Sequence, residues 1–363
     1  MKKALIALLA CLIVLTGCTK SPAPAPSETE TVPVTTEAPT EPPTETTATE
    51  PVETQAPVTE PVNPLTGLPG DASLAESRPY AVMINNIRVA QPQCGTTRAD
   101  VIYEVLAEGG ITRMMAIFSS LEGETPIGSI RSLRPYYLSI ARAYDAVVIH
   151  AGGSPQAYAD LESSGWDHID GVNGPNSGSY YYRVQSRIDT AGYEHSLFID
   201  ADDALAYIQE RDCRTQRQSQ ASPIVFSQDA LTQGDDAQSV TVHFRTSKET
   251  SFTYDPDAGL YSGFQYGEDW ADGNDGTVQT FRNILVLYAE TQTIDDTGRL
   301  AIDLVGEGEG YLIRDGKCVA IIWSREEEDA PFIYHLPDGT EAALGTGRTY
   351  VAVTPTGSAL DLA

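Results

Sequence analysis

The stretch GSIRSLRPYYLSIARAYDAVVIHAGGSPQAY, residues 128–158, decides the fold of the first half of the chain. Apolar residues recur at helical spacing between Tyr137 and Tyr144, which predicts a helix that begins near Pro135. The apolar run AVVI that follows predicts a strand ending at His150. A further apolar run, 111–118, predicts a buried strand before the helix. The order strand, helix and strand favours a right-handed crossover and at least partly parallel pairing. Sheets of that kind bind ligands at the carboxyl ends of their strands.

The loop after that strand contains Gly152 and Gly153 and leads into a second predicted helix. Ser154 is well placed as its N-cap and Pro155 as its first residue. Backbone N–H groups at such a helix start favour an anion. The loop is neither a P-loop nor a dinucleotide-binding fingerprint, so we do not interpret it as a nucleotide site.

Basic and polar side chains fall near the ends of these elements. Arg113 enters a predicted buried strand, 111–118, and Arg131 and Arg134 precede the first helix. The alternative for Arg131 and Arg134 is a pair of structural salt bridges to the many carboxylates. The alternative for His150 is a satisfied hydrogen bond at a strand end. The candidate ligand-binding residues are Glu108, Arg113, Arg131, Arg134, His150, Gly152, Gly153 and His195.

Residues 97–108 show an apolar stripe at helical spacing and a possible capping box, and they predict a helix ended by two glycines. Asp100, Glu104 and Glu108 would then share one face. That face could bind a cation or supply a general base. A solvated flank is the favoured interpretation.

The chain has 363 residues and a formal net charge of −28. This balance argues against nucleic-acid binding, because phosphate neutralisation needs clustered lysine and arginine. It also argues against broad contact with an anionic membrane surface. An anionic ligand would need a local basic pocket, which is why Arg131 and Arg134 draw interest.

The N-terminus has the form of a secretory signal: two lysines, an apolar run of about a dozen residues, and LTGC at 15–18, which resembles a bacterial lipobox. The lipobox implies removal of a signal peptide, 1–17, and lipidation of Cys18. The protein would then be extracytoplasmic and anchored to the cell membrane as a lipoprotein. The alternative is an uncleaved anchor with a chance cysteine.

Residues 18–62 comprise Cys18 and a stretch rich in threonine, proline and glutamate, with few groups that could form a core. We expect a disordered stalk that reaches on the order of 130 Å when extended. Three further cysteines, Cys94, Cys213 and Cys318, have no metal-binding spacing, and free thiols are the favoured interpretation over one disulfide. No metal or cofactor is predicted.

The second half contains many short runs of strand character separated by turn sequences such as DG at 315–316 and 338–339. The sequence thus predicts an α/β N-terminal domain, 63–215, with a mixed, partly parallel sheet and flanking helices. A mostly antiparallel β domain, 216–356, and a tail, 357–363, follow. The predicted strands of the second half are 240–244, 251–254, 260–264, 283–291, 300–305, 310–313, 317–324, 332–335 and 349–353.

An acidic loop, 268–276, invites a calcium interpretation, because hard cations bind clustered oxygens. The loop lacks the spacing of an EF-hand and its terminal glutamate. A solvated hairpin tip is therefore the favoured interpretation.

Several long motifs occur in the order found in one family: NPLTGLP, RPYAVMINN, ADVIYEVLAEGGITRMMAIF, the central stretch quoted above, and GRLAIDLVGEGEGYLIRDGK. By these motifs the chain resembles the YerB-like lipoproteins, in which two adjoining DUF3048 domains follow a lipobox and a stalk. The resemblance covers about residues 63–355. It implies an extracytoplasmic lipoprotein with an α/β first domain and supplies no activity.

These observations favour a binding or scaffolding lipoprotein of the cell envelope, with a wall polymer, an anionic or sugar group, or an envelope protein as partner. The alternative is a hydrolase or transferase acting on wall glycans or phosphodiesters. That alternative requires Glu104 or Glu108 beside His150 or His195 as an acid–base pair. The sequence contains no complete catalytic signature.

Overall fold

The computed structural model describes residues 60–123, 126–218, 224–245 and 248–363. The predicted signal peptide, the lipidation of Cys18 and the stalk as far as residue 59 lie outside these ranges. The helices are α1 Pro135–Ala143, α2 Pro155–Ser164, α3 Gln185–Ala191 and α4 Ala201–Glu210. The strands of the first half are β1 Tyr80–Asn86, β2 Val101–Leu106, β3 Thr112–Phe118, β4 Ile127–Gly128, β5 Val147–His150, β6 His168–Asp170, β7 Tyr181–Arg183 and β8 Leu197–Ile199. Those of the second half are β9 Phe226–Ser227, β10 Asp235–Asp236, β11 Ser239–Arg245, β12 Lys248–Asp255, β13 Leu260–Gln265, β14 Glu268–Asp269, β15 Thr280–Phe281, β16 Asn283–Ala289, β17 Thr291–Thr293, β18 Leu300–Ile302, β19 Gly306–Arg314, β20 Lys317–Arg325, β21 Ile333–His335, β22 Leu344–Gly345, β23 Thr349–Pro355 and β24 Leu360–Leu362.

The larger sheet is an 11-stranded mixed sheet built from both halves of the chain. Its strands lie in the order β10-β20-β19-β16-β23-β2-β3-β1-β5-β6, and β21 pairs with β20. The pairs β1–β5, β5–β6, β2–β23 and β16–β23 are parallel, and the remaining pairs are antiparallel. This confirms the mixed, partly parallel sheet predicted for the first half.

A second sheet, in the order β14-β13-β12-β11-β24 with β15 on β13, is antiparallel throughout. Smaller sheets are formed by β17 with β18, by β22 with β9, and by β4, β8 and β7. Every strand predicted in the second half is present, which confirms its mostly antiparallel character.

The helices predicted within 128–158 are present as α1 and α2. Pro135 and Pro155 occupy their first positions, where the missing N–H costs no hydrogen bond. Ser154 caps α2, because its Oγ accepts the backbone N–H three residues on at 3.1 Å. Gly165 ends the helix in the left-handed conformation, with φ 61°.

The helix predicted at 97–108 is wrong. A short 3-10 helix, Thr96–Arg98, is followed by β2, in which every residue is buried. The run VIYEVL fits a helical stripe, but it is also a continuous, β-branched run of strand length, as expected of a strand covered on both faces. Pairing with β3 and β23 decides between the two structures. The proposed helical face of Asp100, Glu104 and Glu108 is therefore not formed.

The last strand of the larger sheet comes from near the end of the chain. β23 lies between β2 and β16, so the segments predicted as domains, 63–215 and 216–356, contribute to one sheet. The predicted tail, 357–363, contains β24, which pairs with β11. At the other end of the fold, Val62 pairs with Pro69 ahead of the first strand.

The described part of the chain is held together by packing. Cys94, Cys213 and Cys318 are all free, as predicted, and Cys94 and Cys318 are buried. Strands β1, β2 and β3 are buried at nearly every position. Within the ranges that the structure describes, no helix is long and apolar enough to cross a membrane.

Candidate anion-binding site

β1 and β2 are both antiparallel to β3, and β5 is parallel to β1. The carboxyl ends of β1, β2 and β5 therefore lie on the same side of the larger sheet, and we call this side, formed by strand ends, the edge. Arg113, the second residue of β3, lies at this edge opposite Asn85 of β1 and Val105 of β2. Directly opposed residues project from the same face of a sheet. Arg113 and Asn85 therefore share a face, and Tyr137 of α1 packs there, donating its hydroxyl to the Arg113 carbonyl at 2.6 Å.

Glu108 lies in the turn between β2 and β3, where it meets two arginines. Arg113 Nη2 is 3.3 Å from Glu108 Oε2. Arg134, the residue that precedes α1, donates from Nε to Glu108 Oε1. The turn after β2 and the start of α1 are thus joined through a single carboxylate.

Arg131 approaches the same edge from the segment between β4 and α1. Its backbone is fixed there, since its N–H donates to Met83 of β1 at 2.9 Å and its carbonyl accepts from Ala151 at 3.0 Å. Its Nη1 donates to the backbone carbonyl of Glu194 at 2.9 Å and lies 3.3 Å from Glu194 Oε2. Arg131 is therefore tied to the short turn that carries His195.

His195 is buried beside these arginines, and its tautomer follows from its contacts. Asn85 Nδ2 lies 2.9 Å from Nδ1 of the ring, which must accept this hydrogen bond. The proton of the neutral ring is then on Nε2, which lies 3.3 Å from Glu194 Oε1. Burial lowers the pKa of His195, the charge of Arg131 lowers it further, and Glu194 opposes both. The imidazole is thus a neutral donor through Nε2.

The site carries excess positive charge. Burial is the main cause of the lowered pKa of Arg113, and the nearby charges of Arg134 and Arg131 also lower it. Burial alone would raise the pKa of Glu108, but the hydrogen bond from Arg134 and the charges of both Arg113 and Arg134 hold it below its ordinary value of 4.5. Three guanidinium groups therefore lie near two carboxylates, Glu108 between Arg113 and Arg134 and the exposed Glu194 beside Arg131, in a chain whose net charge is −28.

Several polar atoms of this site are buried without a hydrogen-bond partner: Arg113 Nε and Nη1, Arg131 Nε and Glu108 Oε2. Unpaired buried donors are rare in folded proteins because each one costs free energy. Here the unpaired donors belong to neighbouring charged groups. We call Arg113, Arg131, Arg134, Glu108 and His195 together the arginine site.

His150 and Gly152 belong to a different set of contacts. His150 is fully buried; its Nδ1 lies 2.9 Å from the Gly152 carbonyl and its Nε2 lies 2.9 Å from Nδ1 of His168. Gly152 adopts φ 73°, a conformation that favours glycine, and donates its N–H to Asp170 at 2.8 Å. Both nitrogens of His150 are thus engaged within the protein. Its contacts fix the glycine loop, and they do not include the arginines.

The glycine loop nevertheless shapes the edge at which the arginines lie. Leu133 pairs with Gly153, and the Leu133 N–H donates to the Gly152 carbonyl at 2.9 Å. The starts of α1 and α2 therefore lie close together. Since a helix N-terminus carries partial positive charge, both helices add to the positive potential at this edge.

The acid–base pair required by the enzyme hypothesis is not assembled. Glu104 is fully buried, and its carboxylate bonds Lys248 at 3.0 Å and Tyr350 at 2.7 Å. Glu108 lies between two arginines. In the arginine site, His195 contacts the carboxylate of Glu194 and not that of Glu104 or Glu108.

The acidic loop 268–276 has a structural role at Asp272. This carboxylate is buried and accepts backbone N–H groups from Gly95 at 3.1 Å, Thr96 at 2.8 Å and Thr97 at 3.1 Å. Glu268 and Asp269 are exposed, as expected of a hairpin tip. No group of three or more potential metal ligands is found among the described residues.

Sequence reasoning missed Asn85, Glu194 and His168 as members of these clusters. Asn85 is a polar residue near the carboxyl end of a buried strand, a position at which ligand-binding groups are common. His168 and Glu194 gave no comparable signal. The role of His168 depends on the pairing of β5 with β6, and that of Glu194 depends on the approach of the turn before β8 to Arg131.

Comparison with known proteins defines the family. Residues 65–214 match the family described as "Protein of unknown function (DUF3048) N-terminal domain", and residues 240–351 match the corresponding C-terminal domain. The chain belongs to the DUF3048 family, and the resemblance inferred from the sequence motifs is confirmed.

A relative from Bacillus subtilis (strain 168), named as the lipoprotein YerB, is 30% identical to this chain over 295 residues. The alignment covers 80% of this chain and 86% of the relative. The crystal structure of the YerB protein from Bacillus subtilis is similar to this fold, with a TM-score of 0.72 and 27% sequence identity. That match covers 83% of this chain and 99% of the other.

Proposed function

We propose that this protein is a lipid-anchored cell-envelope protein whose folded part binds an anionic group of the envelope at the arginine site. Cys18 would carry the lipid on the outer side of the cell membrane, and the stretch before residue 63 would act as a stalk. Similarity to a relative named as a lipoprotein supports this placement.

One observation carries the binding proposal. Arg113 and Arg134 bind the Glu108 carboxylate, and Arg131 lies close enough to Arg113 to lower its pKa. Arg113 and Arg131 retain buried N–H groups without acceptors. A bound oxyanion would supply those acceptors and offset the excess positive charge. Guanidinium groups suit this task, because their N–H donors match the geometry of carboxylate and phosphate oxygens.

The strong negative charge of the protein favours the arginine site as the place where an anionic polymer binds. Away from a local cluster of arginines, a chain with a net charge of −28 repels polyanions. An anionic polymer would therefore meet the protein at the sheet edge where the three arginines and the starts of α1 and α2 lie. Wall polymers that contain phosphodiesters or carboxylates have the required chemistry.

The test compares wild type with the double variant Arg131→Ala, Arg134→Ala in binding to purified, protein-free wall polymer at fixed ionic strength. A control variant, Arg299→Ala with Lys317→Ala, removes two positive charges from surface ion pairs with Asp295 and Asp236. We expect the arginine-site variant to lose at least tenfold in affinity, since two charge-assisted contacts are removed. We expect the control to bind as wild type does.

Equal loss in both double variants would show that binding depends on overall charge, and the site would be wrong. Unchanged binding by the Arg131→Ala, Arg134→Ala variant would also reject it. Circular dichroism and thermal unfolding of each variant separate loss of binding from loss of fold.

A further inference from the structure

Glu194 lies at the outer side of the arginine site. Its side chain is 68% exposed, but both of its oxygens face donors of the site. Oε2 lies 3.3 Å from Arg131 Nη1, and Oε1 lies 3.3 Å from His195 Nε2. A protein carboxylate thus already satisfies two of the donors that an anionic ligand would use.

These contacts are weak. Charge-assisted N–H···O bonds are ordinarily about 2.7–2.9 Å long, so both distances are longer than those of strong pairs. Exposed ion pairs also contribute little, because water screens the charges and the side chain loses conformational freedom. The side chain of Glu194 can therefore leave the site at small cost.

The backbone of the same turn is held firmly. Arg131 Nη1 donates to the Glu194 carbonyl at 2.9 Å, and Arg183 Nη1 donates to the Tyr193 carbonyl at 2.6 Å. Ser196 Oγ also donates to the Tyr193 carbonyl, at 2.8 Å. Departure of the Glu194 carboxylate therefore requires rotation of a side chain and no movement of the turn.

We infer that the Glu194 carboxylate occupies the position of the ligand's oxyanion and competes with the ligand for Arg131 and His195. This inference rests on the function proposed for the arginine site. It also restricts the chemical group through which the ligand binds. The groups that face Glu194 are donors only, because Asn85 holds the His195 proton on Nε2. The ligand group is therefore an acceptor-only oxyanion, a carboxylate or a phosphodiester, and not a hydroxyl.

The experiment measures dissociation constants by isothermal titration calorimetry for wild type, Glu194→Gln and Glu194→Ala. Poly(glycerol phosphate) serves as the phosphodiester probe and polygalacturonate as the carboxylate probe. Glu162→Gln, an exposed glutamate of α2, is the matched control for the change in net charge. We expect both Glu194 variants to bind about 2- to 5-fold more tightly than wild type, as removal of a weak exposed ion pair implies. Glu162→Gln should bind as wild type does.

If the Glu194 variants bind only one of the two probes more tightly than wild type does, that probe identifies the ligand group as a phosphodiester or a carboxylate. Unchanged or weaker binding by both Glu194 variants would overturn the inference, while loss of binding on replacing Arg131 and Arg134 would leave the proposed function standing. An equal gain in Glu162→Gln would reduce the effect to net charge and overturn the inference as well. If neither probe binds any of these proteins, both proposals fail.

Discussion

Arg113 and Arg134 share one counter-ion, since Arg113 Nη2 lies 3.3 Å from one oxygen of Glu108 and Arg134 Nε bonds the other. Glu108→Gln would leave both guanidinium groups without a negative partner in a largely buried position. We expect the free energy of unfolding to fall by about 2 kcal/mol, the usual cost of losing hydrogen bonds to charged groups. Urea denaturation of wild type and Glu108→Gln at pH 7 measures this difference in the free energy of unfolding.

Sulfate supplies a second arm of the same test. An oxyanion that replaces the lost carboxylate should stabilise Glu108→Gln more than wild type, because ligands that bind only the folded state stabilise it. Glu162→Gln should respond to sulfate as wild type does. A Glu108→Gln protein as stable as wild type, with the same response to sulfate, would contradict the role of Glu108 as counter-ion.

The contact between the buried His150 and the half-buried His168 predicts a dependence of stability on pH. Burial and the charge of His150 lower the pKa of His168 to about 4, and burial also lowers that of His150. Since the ordinary value is 6.5, the unfolded chain takes up protons first as the pH falls. The contribution of the neutral histidine pair to the free energy of unfolding is therefore fully present above pH 6.5 and is lost as the pH falls toward 4.

The variant His168→Asn isolates this effect. The asparagine amide can replace the Nδ1 donor to His150 but does not titrate. We expect a smaller decrease in unfolding free energy between pH 6.5 and 5 than in wild type, measured by urea denaturation. The carboxylates titrate mostly below this window. An identical slope in the two proteins would show that the pair does not control stability in this range.

A second buried ion pair joins the two halves of the chain. The Lys248 ammonium lies 3.0 Å from Glu104 Oε1, and the two side chains are 3% and 0% exposed. Lys248→Met should destabilise the protein by about 3–5 kcal/mol, because it leaves an unpaired buried carboxylate. The double variant with Glu104→Gln should recover part of that loss. Denaturant unfolding of Lys248→Met, of Glu104→Gln and of the double variant measures the coupling. If the losses of the two single variants add up in the double variant, the two groups are not coupled.

Asp272 is expected to hold the segment that precedes β2. Its oxygens accept three backbone N–H groups from residues 95–97, so Asp272→Asn should cost about 1–2 kcal/mol, as for a lost helix cap. The exposed Asp269→Asn is the control. Calcium should not raise the melting temperature of either protein or of wild type, because the Asp272 oxygens are already used. A rise abolished by Asp269→Asn would instead support cation binding by the loop.

The sequence predicted an element correctly where residues within that element determine its structure. The starts of α1 and α2 follow from Pro135, Pro155 and Ser154, and the strands of the second half follow from short runs of strand character between turn residues. The sequence could not decide the structure of 101–106, because an apolar run that is buried on both faces carries no period of its own. Its partner, β23, lies near the other end of the chain.

The candidate site was predictable in part for the same reason. Arg113, Arg131 and Arg134 lie near element ends in the sequence, and the structure brings them together, Arg113 and Arg134 on Glu108 and Arg131 on Glu194. His150 was selected on the same ground, but the register of β5 and β6 directs it to His168. Glu194 and Asn85 depend on the approach of separate segments to one sheet edge. No local pattern reports such an approach.

The position of β23 between β2 and β16 sets the order in which the protein can fold. Ile102 pairs with Tyr350, so the middle of the sheet cannot close until almost the whole chain has been synthesised. Before that moment β2 presents an open edge to solvent, a form prone to association with other strands. Pairing across so long a separation is also slow. Loss of residues 349–355 would therefore remove the centre of the sheet and not its margin, and the N-terminal half would have no complete core on its own.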